Sequence, residues 1–107
     1  MNLNLFWPIF AHFLGDWSLQ TSYMAENKGR CPMVLVSHVM VWTACMCVGL
    51  LGAGIAVPYW KVLFLASGHA IIDDLWADRS TGRPMLGWPI YVDQGLHLIQ
   101  VAVCVIF

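Results

Sequence analysis

Charge is what this sequence has least of. Lys, Arg, Asp and Glu make up 10% of its 107 residues and hydrophobic residues 60%, whereas a soluble domain carries roughly 25% charged residues. So few charges cannot cover the surface of a water-soluble fold of this length. Five basic residues against six acidic ones, a net charge of -1, provide no basic stripe, so no nucleic-acid partner is expected. There is no internal repeat, low-complexity stretch or second domain. The single domain expected over residues 1–107 must hide its apolar surface in a bilayer rather than in a large core. A basic segment ahead of the first apolar run is also missing, and that run contains His12, Asp16 and Gln20. It therefore reads as a retained helix and not as a signal peptide. The cysteines offer no metal motif. Cys45 and Cys47 are two apart, and residues two apart on a helix point to different faces. Together with Cys31 and Cys104 they read as small apolar filler.

What is present is apolar sequence in lengths that suit a membrane. A span needs about 20 residues, because a helix rises 1.5 Å per residue through ~30 Å of hydrocarbon. Four such segments are predicted, at about 3–23, 33–57, 59–76 and 87–107, which makes the fold class all-α, a four-helix transmembrane bundle. Pro32 and Pro58 punctuate the second segment. An apolar, tight connection around Gly52, Gly54 and Pro58 predicts an antiparallel hairpin of the second and third helices. The other two connections are polar. They carry Lys28, Arg30, Arg79 and Arg83, against Lys61 alone on the opposite side, so the positive-inside rule places them in the cytoplasm and both termini outside. The expected location is a bacterial inner membrane, crossed several times. The partners expected are the lipid bilayer and copies of the chain or other membrane subunits. Five of the six tryptophans, Trp7, Trp17, Trp60, Trp76 and Trp88, fall near predicted helix ends, as an interfacial aromatic belt requires.

Function is to be sought in the polar residues inside these segments. All four histidines, and Asp16, Asp73, Asp74 and Asp93, lie in predicted spans. Each uncompensated carboxylate there opposes insertion by about 2.5–3.5 kcal/mol. The pairs His12/Asp16, His69/Asp73 and Asp93/His97 are four residues apart, so each stands one turn apart on a single helix face. His38 is the contribution of the second helix. Two helices run inward and two outward, yet Asp16, His38, Asp73 and Asp93 each fall about four to six residues from the same membrane face. Three aspartates and four histidines converging in a bundle core make a nitrogen and oxygen ligand set for a divalent metal, with zinc first and manganese or iron as alternatives. Seven candidates exceed the four ligands of one zinc. Either two ions, or one ion with carboxylates orienting its imidazoles, is expected. Asp74 and Gln94, each about 100° round the helix from its neighbouring ligand, are expected to face the rim.

These motifs also carry a resemblance. The run 11–21 (AHFLGDWSLQT), followed by Met24-Ala25-Glu26-Asn27-Lys28, His38, His69-x3-Asp73 and Asp93-Gln94-x2-His97, resembles a small bacterial and phage membrane family of unknown function. That family is similar to inner-membrane proteins labelled, by motif analogy, metal-dependent hydrolases. The resemblance implies a metal more directly than a substrate. The chain departs from the family in a shortened third connection and in ending within the fourth helix, so no cytoplasmic extension is expected to close over the site.

The leading expectation is a membrane-embedded metal-dependent hydrolase. The metal ligands would be His12, Asp16, His38, His69, Asp73, Asp93 and His97. Asp74 or Gln20 would orient water or substrate, and Lys28, Arg79 and Arg83 would hold an anionic headgroup. A lipid or other amphiphilic phosphoester is the substrate class that the location suggests. The rival readings are a metal-ion or proton transport or binding protein, a metal-free proton relay, and a small structural or phage-encoded membrane subunit whose polar core fixes packing.

Overall fold

The computed structural model describes residues 6–19, 21–27, 30–75 and 88–107. Every regular element among them is helical: α1 (Phe6–Phe13) running into a π-helical segment (Leu14–Ser18), then α2 (Ser22–Asn27), α3 (Pro32–Gly52), α4 (Tyr59–Leu75) and α5 (Trp88–Ile106). Helix α1 packs on α3 and α5, α3 on α4, and α4 on α5. That ring of four neighbours leaves a shared interior. Two of the helices, α3 and α5, are long and apolar enough to cross a membrane, with mean hydropathies of 2.1 and 1.4.

Helix α3 shows how local chemistry sets the boundaries. Pro32 begins it, after Cys31 in an extended conformation (φ -123°, ψ 113°), because proline lacks an N–H that the first turn could not use and excludes the helical region for the residue before it. The span expected to run to residue 57 stops at Gly52. Gly54 takes φ +78°, its N–H donates to the Leu51 carbonyl, and the Ile55 N–H reaches back to Leu50. This is the hydrogen-bond pattern of a Schellman cap, in which a left-handed residue lets the chain satisfy the last carbonyls. Ile55 also packs against the core cluster containing Leu50. Pro58 then accepts from the Lys61 N–H and α4 begins, so the expected hairpin is formed with a short extended link.

The first segment also differs from the continuous helix expected over 3–23. The Leu19 N–H bonds to the Leu14 carbonyl at 2.8 Å, five residues back, so the helix widens by one residue per turn around Asp16. The widened turn lies close against α3: a Cβ on Gly15 would stand 3.1 Å from the Trp42 Cα, and one on Gly49 would stand 2.5 Å from the Ala11 Cβ. Small residues here let two backbones approach, as they do between membrane helices.

Polarity is inverted across the bundle. Buried among the described residues are His12, Asp16, His38, His69, Asp73, Asp93, His97 and Gln100, while Phe6, Tyr23, Met33, Met40, Val48, Leu63, Tyr91 and Ile99 are exposed. An apolar core cluster of Trp42, Met46, Leu50, Leu65, Val101 and Cys104 occupies the half of the interior nearer the α3–α4 link. The His/Asp groups fill the other half, near the start of α3 and α5 and the end of α4, while Lys61 is buried on the apolar side.

Candidate metal centre

Three elements supply the four residues of one cluster. Asp16 comes from the π-helical segment, His38 from the second turn of α3, and His69 and Asp73 from one face of α4, one turn apart. His38 Nε2 lies 3.1 Å from Asp16 Oδ1 and 3.3 Å from Asp73 Oδ2. His69 Nε2 lies 3.6 Å from Asp16 Oδ1, 3.2 Å from Asp73 Oδ2 and 3.0 Å from His38 Nε2. All four residues are buried, and their ligand atoms lie within 4.8 Å of one another.

Those separations can be compared with what an ion needs. Bonds of about 2.0–2.2 Å in a tetrahedron place ligand atoms about 3.3–3.6 Å apart, and the five separations above run from 3.0 to 3.6 Å. Hydrogen bonding alone explains them poorly. An imidazole nitrogen carries one hydrogen or one lone pair, yet His38 Nε2 has Asp16, Asp73 and His69 atoms all within 3.3 Å. One hydrogen cannot serve three neighbours, whereas a cation between the four atoms can. The residues present therefore fit a divalent ion, and they are nitrogen and oxygen donors of the kind zinc, manganese and iron accept.

Around this quartet stand the remaining buried polar groups. From α5, His97 Nε2 lies 3.2 Å from Asp73 Oδ1 and 3.5 Å from Asp93 Oδ1, and His97 Nδ1 lies 3.2 Å from His69 Nδ1. Asp16, Asp93 and His97 form a second group with ligand atoms within 4.8 Å. His12 joins through Gln94: its Nε2 is 2.8 Å from Gln94 Oε1, and Gln94 Nε2 donates to Asp16 Oδ2 at 2.9 Å and to Asp93 Oδ2 at 3.0 Å. Trp42 donates its indole N–H to His12 Nδ1 at 3.1 Å and stacks on His69, with ring centroids 4.1 Å apart. Gln100 donates to the Phe64 carbonyl at 2.9 Å, lying across α4 where a Cβ on Gly68 would stand in its place.

The seven residues expected to be ligands are thus gathered in one interior, although His12 reaches the others through an amide. Asp74 is exposed, one residue beyond buried Asp73. Gln20, Lys28, Arg79 and Arg83 lie outside the described residues. Two participants were not anticipated. Gln94 does not face the rim, because α5 touches both α1 and α4 and its buried arc is wide enough to include neighbours 100° apart. The signal for Trp42 is its position: it is the one tryptophan away from a predicted helix end, and it stands four residues from His38.

On the side of Gln94 the cluster meets a groove of about 430 Å³ lined by Phe13, Trp17, Ile90, Tyr91 and Gln94. Gln94 is its one amide among otherwise apolar or aromatic walls.

Comparison with known proteins now decides the family. Residues 5–107 match the family described as protein of unknown function, DUF3307. The chain belongs to that family. No curated protein and no solved structure matches it.

Proposed function

We propose that this DUF3307 member is a membrane-embedded metal protein whose His/Asp centre serves hydrolysis of a lipid or other amphiphilic phosphoester. The observation that carries the reading is the quartet of His38 Nε2, His69 Nε2, Asp16 Oδ1 and Asp73 Oδ2, whose separations of 3.0–3.6 Å suit a first-row divalent ion. Zinc is the first candidate, with manganese or iron as alternatives. The inverted polarity supports placing the bundle in a bilayer, since large exposed apolar faces need a nonaqueous partner and intramembrane ionisable groups are functional by default. The four-to-one distribution of basic residues favours an inner membrane with both termini outside and the centre near the cytoplasmic leaflet.

A divalent ion, when bound, supplies Lewis acidity and a more acidic water. Asp16, His38, His69 and Asp73 would hold the ion. The chain's own residues hold the geometry: Trp42 packs the His69 ring, Gln94 ties Asp16, and His97 ties Asp73. The groove beside Gln94 suits an apolar chain arriving from the lipid, with the polar end of the molecule toward the cluster. Transport receives less support, because the interior beyond the cluster is packed mainly with apolar side chains such as Met46, Leu50 and Leu65.

The test is detergent-purified protein assayed for divalent metal and for release of phosphate or headgroup from phospholipid vesicles. The proposal expects metal-dependent release that chelator abolishes. Bound metal with no release from any phospholipid class would leave a metal protein and remove the hydrolase. Metal-free protein would remove both.

A further inference from the structure

The hydrogen positions in the cluster can be traced from groups that have only one choice. Trp42 can only donate, so His12 Nδ1 must accept and the hydrogen of neutral His12 sits on Nε2. That hydrogen points at Gln94 Oε1, 2.8 Å away. The amide is thereby oriented, and its two N–H bonds go to Asp16 Oδ2 and Asp93 Oδ2. The other chain begins at the ion. If His69 ligates through Nε2, its hydrogen is on Nδ1, facing His97 Nδ1 at 3.2 Å. His97 Nδ1 then accepts, and its Nε2–H points at Asp73 Oδ1 and Asp93 Oδ1.

This pattern bears on the second group, Asp16, Asp93 and His97, which by distance alone also qualifies as an ion site. For His69 and His97 both to ligate through Nε2, both Nδ1 atoms must carry hydrogens. The two nitrogens face each other at 3.2 Å, and Gln100 Oε1, the other acceptor for a His97 Nδ1 hydrogen, stands farther off at 3.5 Å. The arrangement therefore favours one ion over two.

We propose that the centre takes a single divalent ion on Asp16, His38, His69 and Asp73, and that Asp93 is not a ligand but the carboxylate on which two positioning chains end, Trp42–His12–Gln94 and His69–His97. The inference rests on the metal reading above and adds the number of ions and the division of labour. Each ligand aspartate gives the ion one oxygen and has the other tied, Asp16 by Gln94 and Asp73 by His97, so neither is free to chelate with both oxygens. Partners of this kind hold a ligand's orientation, and their loss typically weakens metal binding about 10–100-fold.

The experiment is a titration of the chelator-stripped full chain in detergent with cobalt(II), followed by its visible absorption and by metal analysis after desalting. The wild type is expected to saturate at one equivalent. Asp93→Asn and Gln94→Leu are expected to saturate at one equivalent too, with affinity lower by about 10–100-fold, and Gln94→Leu with altered visible bands as Asp16 gains freedom. His38→Ala is expected to lose the strong bands. Saturation at two equivalents overturns the single-ion assignment while leaving the metal reading intact, and complete loss of binding in Asp93→Asn makes Asp93 a ligand and overturns its role. Unchanged affinity and bands in Gln94→Leu would overturn the positioning chain. Wild type that binds no cobalt, zinc or manganese overturns the metal reading itself. Should either variant fail to fold, the wild-type endpoint still decides the number of ions.

Discussion

Where α3 begins, the helices meet through Asp16, His38, Asp73, Asp93 and Gln94; where α3 gives way to α4, they meet through Met46, Leu50, Leu65, Val101 and Cys104. The second half is built by the ordinary means of helix packing: a Schellman cap at Gly54, close approach at Gly49, and the buried amine of Lys61 donating to the Ala56 and Cys104 carbonyls at 3.1 and 2.8 Å. A cation on the last carbonyls of α5 is favourable both as a hydrogen-bond donor and against the helix dipole. The first half departs from regular structure in the π-helical turn at Asp16 and gathers three buried carboxylates among imidazoles. The apolar half packs as helices ordinarily do, whereas the polar half carries buried ionisable groups that packing alone does not require.

The comparison breaks first, and most completely, at the ligands. Asp16→Asn keeps the shape of the side chain but makes a far weaker ligand, so metal content should fall to background and any hydrolytic activity with it. Thermal melting in the presence of chelator should be unchanged or raised, since a buried charge is gone. Loss of the folded, detergent-soluble state would instead assign Asp16 to the scaffold.

The apolar half should answer in the opposite way. Leu65→Ala empties a fully buried position and should cost about 2–5 kcal/mol of stability, read as a lower midpoint in denaturant titration, with the number of ions per folded chain unchanged. Were metal content to fall in proportion to stability, the two halves would be one cooperative unit and the contrast would fail.

A smaller effect is expected at the Schellman cap. Gly54→Ala places a Cβ on a residue at φ +78° and should cost about 1 kcal/mol. Visible bands of the cobalt-loaded protein should not move. A change in those bands would mean that strain at the hairpin reaches the centre.

The sequence made much of this architecture legible for a physical reason: the period of a helix converts spacing into direction. His69 and Asp73 fall four apart on the regular helix α4 and meet as expected. His12 and Asp16 are also four apart, but the π-helical turn intervenes and Gln94 links the two. A local change of helical pitch depends on how α1 packs against α3, which spacing does not encode. Gln94 reaches the cluster because α5 buries an arc shared by two neighbours, which spacing within α5 does not encode. The end of α3 was expected five residues late, since residues 53–57 are as apolar as the helix before them and only the backbone of Gly54 marks the stop.

X-ray absorption at the metal edge, recorded on the wild-type protein purified in detergent without added chelator, is expected to show a bound divalent ion with a nitrogen and oxygen shell only, at about 2.0–2.2 Å, and the outer scattering of two imidazole rings. Protein free of metal, or an ion with a sulfur shell at about 2.3 Å from the cysteines, would overturn a His/Asp metal centre.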